Sequence, residues 1–180
     1  MRLFSADRRG LYGNGPLVLT KRTYGIFREI EPTQLYSKEA IEHHIQELFP
    51  EGLSIHGWLH IAHTARFGDG MHSDAAMEIV FEYVRRAVFP HMPSRMQCFF
   101  AFDDLDRVLS FASLTHNVIR VVELRSERIV RLDMNWLKMA PQVAGLSFFA
   151  HQYWSGTPTA SPDWEYLLFP PVDVIELDQP

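Results

Sequence analysis

The sequence predicts an α+β domain. Strand-like segments stand at both ends and in the middle of the chain while the long helical patterns come early, which does not fit the regular alternation of a parallel βαβ array. The chain has 180 residues, 47% hydrophobic and 22% charged, enough for one sizeable core, so residues 1–180 are read as a single domain. Thirteen Phe and four Trp point to aromatic-rich strands or to a pocket for a flat ligand.

Taken in order, residues 2–8 alternate as a strand does, and the glycines between Gly10 and Gly15 mark a turn. Residues 17–20 read as a short second strand, and the stretch from there to Ile30 has no clear period. Residues 37–48 form a helical pattern with Ser37 as N-cap and Pro50 just past its end. The clearest element is residues 73–88, where Ala76, Met77, Val80, Phe81, Val84 and Val88 recur at helical spacing behind a Ser73 cap. Glu78, Glu82, Arg85 and Arg86 stand off that stripe at spacings of three and four, which predicts solvated salt bridges.

Residues 94–102 then read as a strand entered from Pro93, and Asp103 or Asp104 caps a helix over 105–113. The β-branched run 118–124 is a strand, residues 128–133 another, and 135–139 a helical turn. Residues 165–177 supply one or two closing strands interrupted by Pro170-Pro171. No internal repeat or low-complexity tract is present.

Composition narrows the class of function. No run of 18 apolar residues exists, so no membrane-spanning helix is expected, and residues 1–9 lack the apolar block of a signal peptide. The single Cys98 excludes an internal disulfide and fits a reducing compartment, hence a cytoplasmic location. A net charge of −5 argues against broad binding to nucleic-acid phosphates, although Arg8, Arg9, Lys21, Arg22 and Arg28 leave a local basic groove open.

Several chemistries lack their residues. There is no Gly-x-Ser-x-Gly elbow, Cys98 sits within an apolar strand pattern, and Gly13-Asn14-Gly15 is too short to cradle phosphates. His56, His60 and His63 fall at i, i+4 and i+7, a spacing that could ligate zinc if the segment is helical, but Gly57 interrupts it and no metalloprotease Glu follows. Such histidines more often pack and hydrogen-bond. No metal is therefore assigned, and a metal-dependent hydrolase is a third reading.

Glu165 is the most informative acid. It heads an apolar strand directly after an irregular loop that begins beyond Trp154 and ends at Trp164. A carboxylate there is either an active-site acid or an exposed edge residue that keeps its water, and position alone favours the second.

Three short segments taken together resemble the ADP-ribosyltransferase fold, in its small, divergent bacterial branches. They are Phe4-Ser5-Ala6-Asp7-Arg8 on the first strand, Ser94-Arg95-Met96-Gln97-Cys98-Phe99-Phe100 on a central strand, and Glu165 with Leu167, Pro170 and Val172 on a late one. The resemblance implies two packed, mostly antiparallel sheets with helices inserted in the N-terminal half. It implies NAD as co-substrate, with Ser5, Arg8, Ser94, Arg95 and Phe100 as cofactor-binding residues and Glu165 as the catalytic residue. Ser5 stands where such enzymes often carry Arg or His, and the Ser-Thr-Ser form of the second segment is not kept. The loop before Glu165 implies acceptor contacts at Trp154, Asp163 and Trp164. Asp163 matches neither of the residue types (Glu or Gln) that go with known acceptors, so the macromolecular acceptor stays open between protein and nucleic acid.

By analogy with such small enzymes, a toxin or phage-conflict effector is expected, and whether an antitoxin or chaperone accompanies it stays open. A catalytically inactive interaction module of the same fold is the alternative. One carboxylate suffices for this chemistry, because breaking the nicotinamide–ribose bond builds oxocarbenium-like charge that a single Glu beside the ribose stabilises. Arg8 and Arg95 are the cations suited to the diphosphate, with surface or structural salt bridges as their ordinary alternative.

Overall fold

A computed structural model describes residues 1–8, 10–13, 15–21, 37–62, 73–114, 118–140 and 142–177; for Arg8, Ala62, residues 73–76 and Leu114 it describes the backbone alone. Among these residues the chain forms six strands and five α-helices. They are β1 (Leu3–Arg8), α1 (Lys38–Leu48), α2 (Ile55–Ala62), α3 (Ser73–Val88), β2 (Phe99–Ala101), α4 (Leu105–Leu114), β3 (Val118–Arg125), β4 (Arg128–Asp133), α5 (Val143–Trp154), β5 (Trp164–Phe169) and β6 (Asp173–Glu176). The α+β class holds, with two antiparallel three-stranded sheets ordered β1-β3-β6 and β2-β5-β4. A bridge between Phe4 and Phe102 brings β1 against the end of β2, through a pair of backbone hydrogen bonds of 2.7 and 2.8 Å.

Period-two alternation along β5 sorts its side chains onto two faces. Tyr166 and Leu168 enter a core between the sheets, shared with Leu3, Phe99, Ala101, Val122 and Leu124. Leu167 instead joins a core beneath the helices, with Met77 and Phe81 of α3 and Leu146, Ala150, Tyr153 and Trp154 of α5. Glu165 shares the Leu167 face. Phe100, opposite Leu167 in the β2–β5 ladder, packs on that side too.

Several expectations need correction. The helices are not confined to the N-terminal half, since α4 and α5 lie in the second half of the chain, and α5 carries no counterpart in the periodic reading. The segment 94–102 is not one strand. Ser94 Oγ accepts from the Met96 amide and closes a 3₁₀ turn over Arg95–Gln97, leaving a three-residue strand after it. Residues 17–20 make isolated bridges at Leu17 and Thr20 rather than a strand, and the expected helical turn at 135–139 is a 3₁₀ turn over Met134–Trp136. The salt-bridged face of α3 is not solvated, because Glu78 and Glu82 are 3% and 6% exposed.

Other elements fall where the pattern puts them. Ser37 caps α1 through Ala40 N, and Asp104 accepts from Arg107 N at the start of α4. Ser73 is the first residue of α3, with its side chain outside the description. Gly57 lies within α2, and the helix tolerates it because no other residue fits. A Cβ there would stand 2.0 Å from the Met96 carbonyl oxygen. That contact, with the Ser54 hydroxyl donating to the same carbonyl oxygen, ties α2 to the turn carrying Arg95. No helix among the described residues is long and apolar enough to cross a membrane.

Candidate functional site

Beneath the β2-β5-β4 sheet, four elements bring polar side chains into the helix-side core. The 3₁₀ turn presents Arg95, α3 presents Glu78, α5 presents Tyr153 and β5 presents Glu165; all four are buried. Arg95 Nε donates to both Glu78 oxygens at 2.9 and 3.0 Å, and Nη2 donates to Oε1 at 2.9 Å. Arg95 Nη1 donates to Glu165 Oε1 and to the Tyr153 hydroxyl oxygen, both at 2.6 Å. The Tyr153 hydroxyl in turn donates to Glu165 Oε1 at 2.7 Å. Both bonds to Glu165 fall on Oε1, and no other described residue donates to Oε2. The guanidinium also lies over the rings of Phe100 and Tyr153, at 4.6 and 5.4 Å.

Charge balance decides the protonation states. One guanidinium faces two carboxylates, so one acid is left without a full counter-charge. Burial pushes both upward, but at Glu78 the charge and bonds of Arg95, with help from His56, hold the carboxyl well below its usual range. At Glu165 burial prevails over Arg95 and the Tyr153 bond, and its carboxyl is raised. Two acids on one arginine are thus driven apart, an arrangement common where a site needs carboxyls in different states. Tyr153 is raised well above its usual value by burial, with Glu165 adding to the effect.

On the outer side of Glu78, α2 carries His56 and His60 one turn apart, their ring centroids 4.0 Å apart. Burial lowers His56 to about 4, so it is neutral at physiological pH. Its Nε2 atom lies 3.8 Å from Glu78 Oε1 and is buried with no hydrogen-bond partner among the described residues. The third histidine of the spacing, His63, lies outside the described residues.

The structure brings together Arg95, Phe100 and Glu165 of the sequence-derived site. Ser94 stands next to the cluster but donates to Glu82 Oε2 at 2.8 Å, in a separate network with Arg85 and Arg86. Ser5 does not join. It shares the β1 face of Leu3, pointing into the core between the sheets, with its hydroxyl 3.1 Å from that of Tyr12. The β2-β5-β4 sheet therefore separates Ser5 from Glu165. The Arg8 side chain and Arg9, Arg22 and Arg28 lie outside the described residues.

Arg95 directs its donors at protein groups, so its part here is to hold Glu165 rather than to reach outward. Trp154 is buried and donates to the Phe81 carbonyl oxygen at 2.8 Å, which anchors α5 to α3 instead of offering a ring to a target. Asp163 pairs with Arg107 at 2.5 Å, and Trp164 packs on the inter-sheet core beneath Arg131.

Three residues of this region were not singled out by the sequence. Glu78 is one; on a helical wheel it lies about 60° from Phe81, close enough to the apolar stripe to be buried beside it. Tyr153 is the second, hidden in a helix with no clear stripe. The third is Asp133, at the end of β4. It accepts from the amides of Asn135, Thr159 and Asp163 and from the Thr159 hydroxyl, at 2.6 to 3.0 Å, and so fixes the loop that leads to Glu165. Burial works to raise the Asp133 carboxyl, and these bonds bring it below its usual value.

Residues 22–179 match the family described as a protein of unknown function, DUF2441. The chain belongs to that family. A search of curated proteins gives no match.

Proposed function

We propose that this chain is an NAD-dependent ADP-ribosyltransferase built on an ADP-ribosyltransferase-like fold, acting on a macromolecular acceptor through Glu165. The observation that carries this reading is the buried Arg95–Tyr153–Glu165 constellation, in which one oxygen of a strand-mouth carboxylate is fixed and the other has no donor among the described residues. The second and third motifs support it by adjacency, since β2, which follows the Arg95 turn, pairs with β5, which carries Glu165; β1 belongs to the other sheet and meets only the end of β2, through one bridge.

In this reading NAD supplies an activated ribose with nicotinamide as leaving group. Glu165 Oε2 accepts a hydrogen bond from the ribose 2′-hydroxyl, and the carboxylate stabilises the oxocarbenium-like charge as the nicotinamide bond breaks. Arg95 and Tyr153 are positioning residues, holding Oε1 so that Oε2 has one direction. Phe100, whose ring lies beneath the Arg95 guanidinium, is the aromatic contact for the nicotinamide in this reading. Ser5 has no part in it, and the diphosphate contacts fall to cations other than Arg95.

A second reading is favoured by one specific observation. Glu165 is 3% exposed and Arg95 spends its donors inside the protein, as in a structural ion-pair network. In that case the chain binds a partner through the same fold without chemistry. Incubation of the full chain with NAD labelled in its adenylate moiety and with cell extract separates the two. Transfer of label to a macromolecule by wild type, abolished in Glu165→Gln, supports the enzyme; no transfer with any extract supports the binding module.

A further inference from the structure

Every arginine whose side chain is described makes an ion pair with a carboxylate, except Arg128 and Arg131 of β4. A chain of net charge −5 has no shortage of acids to answer them. Each guanidinium lies instead over an aromatic ring, Arg128 over Phe169 at 4.0 Å and Arg131 over Trp164 at 4.3 Å, and the Tyr166 hydroxyl is a further partner of Arg131. A guanidinium stacked by its face keeps in-plane N–H donors that suit a carboxylate. Both residues are exposed.

The strand that carries them is an edge, since β4 stands last in the β2-β5-β4 sheet. The direction of its backbone groups follows from its end. Met134 N donates to Asp163 O, so at period two Leu132, Val130 and Arg128 turn their N–H and C=O groups toward β5, and Ile129 and Arg131 turn theirs away. The far side of the sheet agrees. Phe102 spends both groups on Phe4, which turns Ala101 toward β5 and its partner Tyr166 toward β2, leaving Leu167 to face Val130. The N–H and C=O groups of Ile129 and Arg131 have no hydrogen-bond partner among the described residues. The Ile129 side chain is 39% exposed. Such an edge is a template for another strand.

We infer that β4 binds an extended acidic segment of another protein by strand addition. The added strand exchanges backbone bonds with Ile129 and Arg131. Arg128 shares the Val130 face and Arg131 the Ile129 face, so the segment carries acids three residues apart, one for each face, with apolar residues between them to meet Ile129 and Val130. A second copy of β4 does not fit. It would bring more unpaired cations and only Asp133 to answer them, and Asp133 is committed to the loop before β5. A nucleic acid has no backbone amides and carbonyls to complete the ladder. This surface is independent of the ribosyl-transfer reading.

The test measures fluorescence polarisation of a short labelled peptide with Glu-Val-Ile-Glu at its centre, added to the full chain. Saturable binding is expected, and the same peptide with Lys in place of both Glu does not bind. Arg128→Glu and Arg131→Glu, at exposed positions and checked for fold by circular dichroism, each weaken binding at least ~10-fold. Hydrogen exchange adds a readout of the edge itself: the Ile129 and Arg131 amides become protected by the peptide, and the Val130 amide, already bonded to β5, does not change. No binding up to the solubility of the peptide, binding unchanged in both variants, or equal binding of the Lys peptide overturns the proposal. So does a concentration-dependent dimer in gel filtration that either variant abolishes, which would assign the edge to a second copy.

Discussion

Replacing each acid on Arg95 by its amide gives two variants that differ by one atom apiece and should respond to pH in opposite ways. Glu78 makes a fork with Arg95 at 2.9–3.0 Å, and its folded carboxyl is held below the ordinary value of 4.5. Its ionised form therefore stabilises the native state above that value, and the contribution is lost as pH falls toward the folded pKa. Glu165 has the opposite sign. Its folded carboxyl is raised above 4.5, so the native state holds the proton more tightly than the unfolded chain and loses stability as pH rises from 4.5 through the raised value.

Glu78→Gln breaks a buried pair, for which about 3–5 kcal/mol is typical; about 3 is expected because Glu165 remains 2.6 Å from Arg95 to answer its charge. For a chain of this size that is a fall in Tm of roughly 6–12 °C. Glu165→Gln keeps an oxygen to accept from Arg95 and Tyr153 and removes the uncompensated charge, so it stays within about 1 kcal/mol of wild type at neutral pH. Thermal unfolding by circular dichroism from about pH 2.5 to 8 reads both. The deficit of Glu78→Gln should stay constant above pH 4.5 and shrink as pH falls below it, whereas Glu165→Gln should gain on wild type as pH rises above 4.5. Equal losses at pH 7, or the same pH slope in both variants, would refute the charge assignment.

Two further variants test how the cluster is held. Gly57→Ala sets a methyl group against the Met96 carbonyl oxygen, at a position where backbone must move; we expect a loss of about 2–3 kcal/mol and weakened activity through displacement of Arg95, read by chemical denaturation. Asp133→Ala removes the acceptor of four hydrogen bonds in the loop before β5; faster hydrogen exchange at Thr159 and Asp163 is expected, and unchanged exchange would show that the loop is ordered by other contacts.

How far the sequence carried depended on whether one physical signal dominated a segment. The helix Ser73–Val88 and the strands Val118–Arg125 and Arg128–Asp133 lie within a residue of their expected bounds, because a stripe or β-branched run is uncontested there. Helix α5 was not legible because apolar residues surround it. Val143 and Phe148 are exposed while Leu146, Ala150 and Tyr153 are buried, so no stripe stands out. The strand expected at 94–102 failed at its start, where the Ser94 hydroxyl offers the backbone a local partner and a turn wins over the ladder. At the candidate site, Glu165 could be singled out as a carboxylate at the head of an apolar strand, and Arg95 through the resemblance of its segment. Glu78 could not, since a Glu with Arg residues further along a helix reads as a solvated pair until the fold buries it.

The most direct measurement is nicotinamide release from NAD by the purified full chain, wild type beside Glu165→Gln, across pH 5 to 8. The account predicts measurable release by wild type, rising with pH as the raised Glu165 carboxyl ionises, and a fall of about 10²–10³-fold in a Glu165→Gln variant that melts within a few degrees of wild type. Release that is equal in the two proteins, or absent from wild type both alone and with every acceptor extract, would contradict it.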